Sequence, residues 1–219
     1  PHIVTLIALA SISALAMNIF LPSLPSMAAY YNTTPSVMSL SVAIYLGASA
    51  LLQLFSGPIS DRIGRRPVIL VSLVLFIIAS LATIWAPNAE TFLALRFVQA
   101  FAATTMVLSR AIVRDTVGKD AAASKIAYVT MGMAVAPMIG PGIGGYLAKY
   151  FGWQAIVILL AALGVCIFIL TWFDLGETAP KGKTSFPKQV IEYKQLLSSQ
   201  RFWGYCLASA LCSGSFFIY

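Results

Sequence analysis

Charge is what this chain has least of. Only 10% of its 219 residues are charged, 14 Lys and Arg against 7 Asp and Glu, where an ordinary soluble domain carries about 25%. With 59% hydrophobic residues and a mean hydropathy of +0.88, a soluble fold of this length has too little polar surface to clothe its apolar surface. A single histidine, His2, stands at the start of the chain. Cys166, Cys206 and Cys212 lie inside apolar runs without a C-x-x-C pair, which argues against a metal centre or a disulfide framework and for buried packing thiols. The first apolar run has no basic segment before it and runs on into Pro22 and Pro25 rather than a small-residue cleavage site, so no cleavable signal is expected.

What the chain does have is apolar runs near the 17–25 residues or so that cross a bilayer. They read as Ile3 to about Tyr30, Ser36–Ser56, Pro67–Trp85, Ala89–Val113, Ala121–Tyr150, Trp153–Phe173 and Phe202–Tyr219. The expected class is an all-α polytopic membrane protein with a six-helix bundle over 1–173, a linker over 174–200, and the start of a seventh helix over 201–219. Thr34 before Pro35, and Asn88 before a first turn containing Glu90, are candidate N-caps. Asn32-Thr33-Thr34 matches a glycosylation sequon but reads as a short turn between helices.

The net charge of +7 is spread between the runs, which points to membrane topology rather than to nucleic acid. Arg62, Arg65 and Arg66 fall in the second connection. Arg110, Arg114, Lys119 and Lys125 surround the fourth, and Lys181, Lys183, Lys188, Lys194 and Arg201 follow the sixth run; the other connections carry only Lys149. This alternation places the N-terminus and the 174–200 segment on the cytoplasmic side. Within that segment Gln189–Ser198 has the pattern of a short surface helix.

One internal repeat is legible. Aligning Gly57 with Gly145 also pairs Gly64 with Gly152 and sets Val68-Ile69-Leu70 against Ile156-Val157-Ile158. The copies are three helices apart, so they lie on opposite membrane faces, the pattern of inverted 3+3 transporter repeats.

The most specific string is Gly57-Pro58-Ile59-Ser60-Asp61-Arg62-Ile63-Gly64-Arg65-Arg66-Pro67. It reads as a tight basic turn, with glycines for close approach or positive φ and with Asp61 and Arg65 placed to pair with nearby helix ends. It resembles the G-x-L-x-D-R-x-G-R-[RK] signature of the major facilitator superfamily, Ile59 standing in the Leu position. The resemblance implies a conformational latch of Gly57, Asp61, Arg62, Gly64, Arg65 and Arg66, paired with Asp115 at the end of the fourth helix.

Further strings carry the same resemblance. Arg96 is the one charge deep in a spanning run, with Gln99, Ala103, Met106 and Arg110 continuing its helical face. An intramembrane arginine faces a cavity or partner, or else bonds backbone carbonyls structurally. Arg96-Phe97-Val98-Gln99-Ala100 is similar to the superfamily's R-x-x-Q-G motif, with Ala100 for the glycine. Ala127, Ala136, Gly140, Pro141, Gly144 and Gly145 resemble the antiporter motif G-x8-G-x3-G-P-x2-G-G of drug/proton exchangers, two alanines replacing glycines; a tight-packing face bent by Pro137 and Pro141 accounts for the same residues. Ala16-Met17-Asn18-Ile19-Phe20-Leu21-Pro22-Ser23-Leu24-Pro25 looks like the bicyclomycin- and florfenicol-resistance branch, which has an aspartate where this chain has Asn18. An amide carries no proton, so Asn18 is either a packing residue or a neutral stand-in. Ser41, Tyr45, Ser49 and Ser56 mark a weaker polar face on the second run.

The resemblance implies the N-terminal half of a major facilitator fold whose other six-helix half is missing. It also implies a secondary active transporter of the inner membrane that exports small amphipathic drugs by proton antiport and alternating access. Asn18, Tyr45, Arg96 and Gln99 would then line the substrate and proton pathway, with Arg96 facing the central cavity. The expected partners are a small-molecule substrate, protons and the lipid bilayer, with no cofactor, metal or nucleic acid. Export of an endogenous metabolite or siderophore, and a non-transporting sensor or assembly role, remain open on these residues. The runs hold no cluster of acid, base and nucleophile of the kind an enzyme needs.

Overall fold

The computed structural model describes residues 1–179 and 198–218. Among these the structure is helical throughout: α1 (Ile3–Asn18), a 3-10 turn (Leu21–Ser23), α2 (Leu24–Tyr30), α3 (Pro35–Ile63), α4 (Arg65–Thr83), α5 (Ala89–Gln99), α6 (Ala102–Thr116), α7 (Lys119–Phe151), α8 (Gln154–Asp174) and α9 (Gln200–Ile218). Six stretches are long and apolar enough to span a membrane: Ile3–Tyr30, Pro35–Ile63, Arg65–Thr83, Ala89–Thr116, Ala121–Phe151 and Gln154–Asp174. The chain divides into two units, Pro1–Pro180 and Lys181–Tyr219. In the second, α9 is an apolar helix whose described side chains are mostly exposed. The surface helix expected over Gln189–Ser198 falls almost wholly outside the described residues.

The helix boundaries follow local chemistry. Thr34 Oγ1 accepts from the Val37 amide at 3.4 Å and Asn88 Oδ1 from the Thr91 amide at 2.8 Å, each satisfying an N-terminal donor that has no partner within its helix. Asn32, between α2 and α3, has φ 50°, a left-handed turn that asparagine tolerates. Pro22 and Pro25 occupy first-turn positions of the 3-10 turn and of α2. There the missing N–H costs no helical hydrogen bond, so the first span is broken just beyond Asn18 and resumes at once.

Three expectations are corrected. The string from Gly57 to Pro67 is not a loop: α3 runs through Gly57 and Pro58 to Ile63, and the whole turn is the single residue Gly64, at φ 115°. A Cβ at Gly57 would meet nothing within 4 Å, so no close approach depends on that glycine. The fourth span is two helices rather than one, interrupted at Ala100 and Phe101. The three cysteines are exposed rather than buried; on a membrane helix the outer face meets lipid, which takes a thiol as readily as a protein core does.

The aligned repeat has a physical counterpart. Gly64 and Gly152 are the two glycines with positive φ among the described residues, and each joins a second helix of its triplet to a third. Equivalent elements also pack on each other: α4 lies against α8, and α1 lies against α6. The second helices, α3 and α7, are the outlying ones, with 28% and 17% of their spanning windows buried against 61% for the span containing α1.

One end of the bundle is polar and the other aromatic. At the polar end Asp174, closing α8, accepts from the His2 amide at 2.8 Å and from Thr5 Oγ1 at 2.6 Å, tying the start of α1 to the end of the sixth span. At the other end Tyr31, Phe92 and Trp153 stack edge-on or tilted, with Tyr31 and Trp153 centroids 5.7 Å apart, and Phe20 reaches Phe92 at 6.3 Å. Burial, with Tyr30 beside it, pushes the Tyr31 phenol up to about 12, so this ring stays neutral.

Candidate functional site

Arg96 lies on the last turn of α5 and is 0% exposed. Its Nη1 donates to Ala16 O at 3.1 Å and to Gln99 Oε1 at 2.8 Å. The guanidinium carbon sits 4.9 Å from the Phe20 ring centroid and 4.7 Å from that of Tyr45. Among the described residues no carboxylate pairs with it, and its Nε and Nη2 make no hydrogen bond to the protein.

The compensation comes from helix ends and ring faces. Ala16 is among the last residues of α1, where carbonyls lose their intrahelical donors and carry the negative end of the helix dipole. Arg96 is itself in the last turn of α5, a position where the helix dipole favours a cation. A ring face over a desolvated cation contributes about 2 kcal/mol; two of them offset the roughly 3 kcal/mol that an arginine costs at mid-span on insertion scales. The breaks after Asn18 and Gln99 are what make this possible, since an unbroken helix has no terminal carbonyl to offer.

The surrounding polar atoms lock the arrangement. Gln99 Nε2 donates to Ser80 Oγ at 3.3 Å and to Thr83 Oγ1 at 3.4 Å on α4. Tyr45 Oη donates to Ser13 O at 3.1 Å, with Ser13 Oγ 3.2 Å away. Thr105 Oγ1 donates to Leu9 O at 2.6 Å. Tyr45, Arg96 and Gln99 are thus brought together across four helices, inside this bundle rather than on an open face. Arg96 is packed within this bundle, with the Phe20 and Tyr45 rings against its guanidinium. A cleft of ≈ 240 Å³ opens elsewhere, between α3, α4 and the α5–α6 break, lined by Phe55, Ile59, Val71, Phe101 and Thr104 among others.

Asn18 stands apart from this group. It is buried at the end of α1, and its Nδ2 donates to Ala14 O at 2.9 Å on its own helix; it makes no hydrogen bond to Arg96. The α3 face of Ser41, Tyr45, Ser49 and Ser56 is buried throughout. Ala16 and Phe20, part of the first-helix string quoted from sequence, complete the Arg96 surroundings together with Ser13, Ser80 and Thr83, which were not singled out.

At the polar end Arg65, the first residue of α4, bridges two carboxylates. Nη1 lies 2.7 Å from Asp61 Oδ1 and Nε lies 3.0 Å from Asp115 Oδ2, while Nη1 also reaches Ser60 Oγ at 2.5 Å. Arg65 is nearly buried. Arg66 donates to Trp172 O at 2.9 Å and stacks on that ring at 5.3 Å. Arg62 is exposed on the last turn of α3, where its charge suits the helix C-terminus.

The glycines of α7 work against α1. A Cβ at Gly144 would run into Ile19 O, and one at Gly132 into Ile7; at Gly140 it would press on Leu15 at 3.1 Å, and at Gly145 it would meet Pro22 at 3.5 Å. With Ala136, which is also buried, they form one small-residue seam at intervals of four that lets α7 close on the break in α1. Pro137 and Pro141 lie within α7, which stays continuous. Gly132 lies within the span of the motif read from sequence without being one of its positions, and it adds one step to the seam.

A family model, the Major Facilitator Superfamily, matches residues 6–219. The chain belongs to this superfamily, a family of transporters rather than enzymes, and is a multi-pass membrane protein. It is 30% identical over 221 residues to a bicyclomycin resistance protein homolog of Haemophilus influenzae, covering 99% of this chain and 56% of that one. It is 33% identical over 215 residues to a chloramphenicol resistance protein of Pseudomonas aeruginosa, covering 95% and 50%. The crystal structure of the human organic anion transporter MFSD10 (TETRAN) superposes with a TM-score of 0.67 at 21% identity, over 81% of this chain and 48% of that one, a likeness of fold. The chain spans about half the length of the curated relatives it matches.

Proposed function

We propose that this chain is the N-terminal half of a secondary active transporter that exports small amphipathic drugs, of phenicol or multidrug type, by alternating access. The observation that carries the reading is the Arg96 cation, buried where two discontinuous spans meet and fixed by the Ala16 carbonyl, the Gln99 side-chain oxygen and two ring faces instead of a carboxylate. Discontinuous helices whose ends hold charge near mid-membrane are how transporters of this architecture build binding and coupling sites. The names of the two bacterial relatives supply the substrate class, and the bundle over 1–173, the linker over 174–200 and a second half beginning near 201 supply the machine.

In this proposal the polar end, with Arg65, Asp61 and Asp115, faces the cytoplasm together with the N-terminus and the 174–200 segment, and the membrane is the bacterial inner membrane. The Arg65 cluster acts as a latch made differently in the two access states. Export is driven by protons. Because Asn18 does not ionise, the carboxylate that carries them lies in the second half.

The test is efflux by the full-length protein in a drug-sensitive bacterial host. Lower accumulation of labelled chloramphenicol, reversed by collapsing the proton gradient, supports the proposal. Unchanged accumulation and unchanged susceptibility to chloramphenicol and bicyclomycin, with the protein in the membrane, refute the drug-export reading.

A further inference from the structure

Glu177 belongs to neither site as read from sequence, yet it is the acid that closes the α3–α4 turn. Its Oε1 accepts from the Arg65 amide at 2.8 Å, across 112 positions of sequence. The same oxygen accepts from the Thr178 and Ala179 amides at 3.0 and 2.9 Å, and Oε2 fills the space where a Cβ on Gly64 would stand.

This repairs a defect in α4. The N-cap of α4 is Gly64, which has no side chain and makes no capping bond, so the Arg65 amide at the first helical position has no acceptor of its own. Glu177 supplies that acceptor from the segment that follows α8, with a negative charge where the helix dipole favours one. The residue whose amide it holds is the one whose side chain bridges Asp61 and Asp115. Arg66, the next residue, is fixed to Trp172 in the last turn of α8, just before that segment. Thr178, Ala179 and Pro180 follow, and the second unit begins at Lys181.

We propose that Glu177 is a positioning residue: it caps α4 in trans, sets the direction in which Arg65 leaves the turn, and so ties the Arg65 pairs to the chain segment that leads into the second unit. The inference rests on the latch reading given above. Withdrawing Glu177 frees the α4 N-terminus and loosens both pairs, while a glutamine in its place still offers an oxygen to the same three amides.

The experiment uses the full-length transporter in lipid discs, with Glu177→Ala and Glu177→Gln. Hydrogen exchange at the Arg65 amide is read first. Maleimide labelling of Ser60→Cys, in a background otherwise free of cysteine, is read second, because Ser60 is buried against Arg65. Neither readout depends on transport, so a failure here is distinct from a failure of the export reading. Loss of the cap speeds exchange by about tenfold and raises labelling in Glu177→Ala, and neither changes in Glu177→Gln. Unchanged exchange in Glu177→Ala overturns the proposal. So does faster exchange without faster labelling, or a Glu177→Gln variant that behaves like the alanine.

Discussion

Arg96 on α5 donates to the carbonyl of Ala16 on α1 at 3.1 Å. This bond joins the broken end of one membrane span to the last turn before the break in another. Ala16 O is available because α1 stops at Asn18, and Arg96 reaches it from the last turn before α5 stops at Gln99.

Replacing Arg96 by alanine removes the cation that the end of α1, Gln99 and both rings surround. Drug efflux by the full-length protein is expected to fall about a hundredfold, roughly 2.7 kcal/mol of barrier, with membrane insertion retained. Arg96→Lys is expected to rescue part of this, since a point charge replaces a planar fork able to reach Ala16 O and Gln99 Oε1 together. Efflux assays at matched membrane protein levels check both.

At the turn, the two carboxylates on Arg65 are unequal. Asp115 is the more buried partner and Asp61 is about one-third exposed. Asp115→Asn is expected to cost about 2 kcal/mol of latch stability, in the range for a hydrogen bond to a charged group, and Asp61→Asn about 0.5 kcal/mol. Both shift the balance of access states. Cysteine labelling from each side of the membrane reads that balance, and identical labelling in wild type and Asp115→Asn contradicts the latch.

The α7 seam gives an internally controlled test. Gly144→Ala drives a methyl into Ile19 O and is expected to destabilise by about 1–3 kcal/mol through overpacking. At Gly142 the same methyl meets nothing within 4 Å, so Gly142→Ala is expected to be neutral or slightly stabilising through helix propensity. Thermal unfolding in detergent, read from tryptophan fluorescence, ranks the two.

Much of this was legible in the sequence because membrane helices announce themselves by length and apolarity. The Asp61–Arg65 spacing and the pairing of Gly64 with Gly152 could be read because each rests on a residue type with few physical uses, and Asp115 was reached through the family resemblance. What escaped reading was set by tertiary contact. Leu95 to Ala103 contains neither Pro nor Gly, so nothing local marks the break at Ala100; it exists where Arg96 and Gln99 are bonded across to α1 and α4. Gly57-Pro58 suggested a loop, but a proline within a long membrane helix is tolerated when the rest of the helix is held by packing. Glu177 lies among the polar residues of a connecting segment, and only the fold brings it to Arg65.

Asn18 is buried and bonded to its own helix, and amide and protonated acid are close in shape. Asn18→Asp is therefore expected to fold, to bind substrate as the wild type does at low pH, and to lose affinity as pH rises and the new carboxylate ionises. Binding titrations from pH 5 to 8 on the purified full-length protein read the difference, and matching pH profiles for wild type and variant contradict it.

The measurement closest to the central claim is substrate counterflow in proteoliposomes holding the full-length protein, with Arg96→Ala beside the wild type. Vesicles preloaded with unlabelled chloramphenicol are diluted into a trace of labelled drug, which reports alternating access without any proton gradient. The account predicts a transient overshoot of label in the wild type and none in Arg96→Ala at equal reconstitution. An equal overshoot in both would show that the arginine buried between the broken spans is no part of the transport cycle.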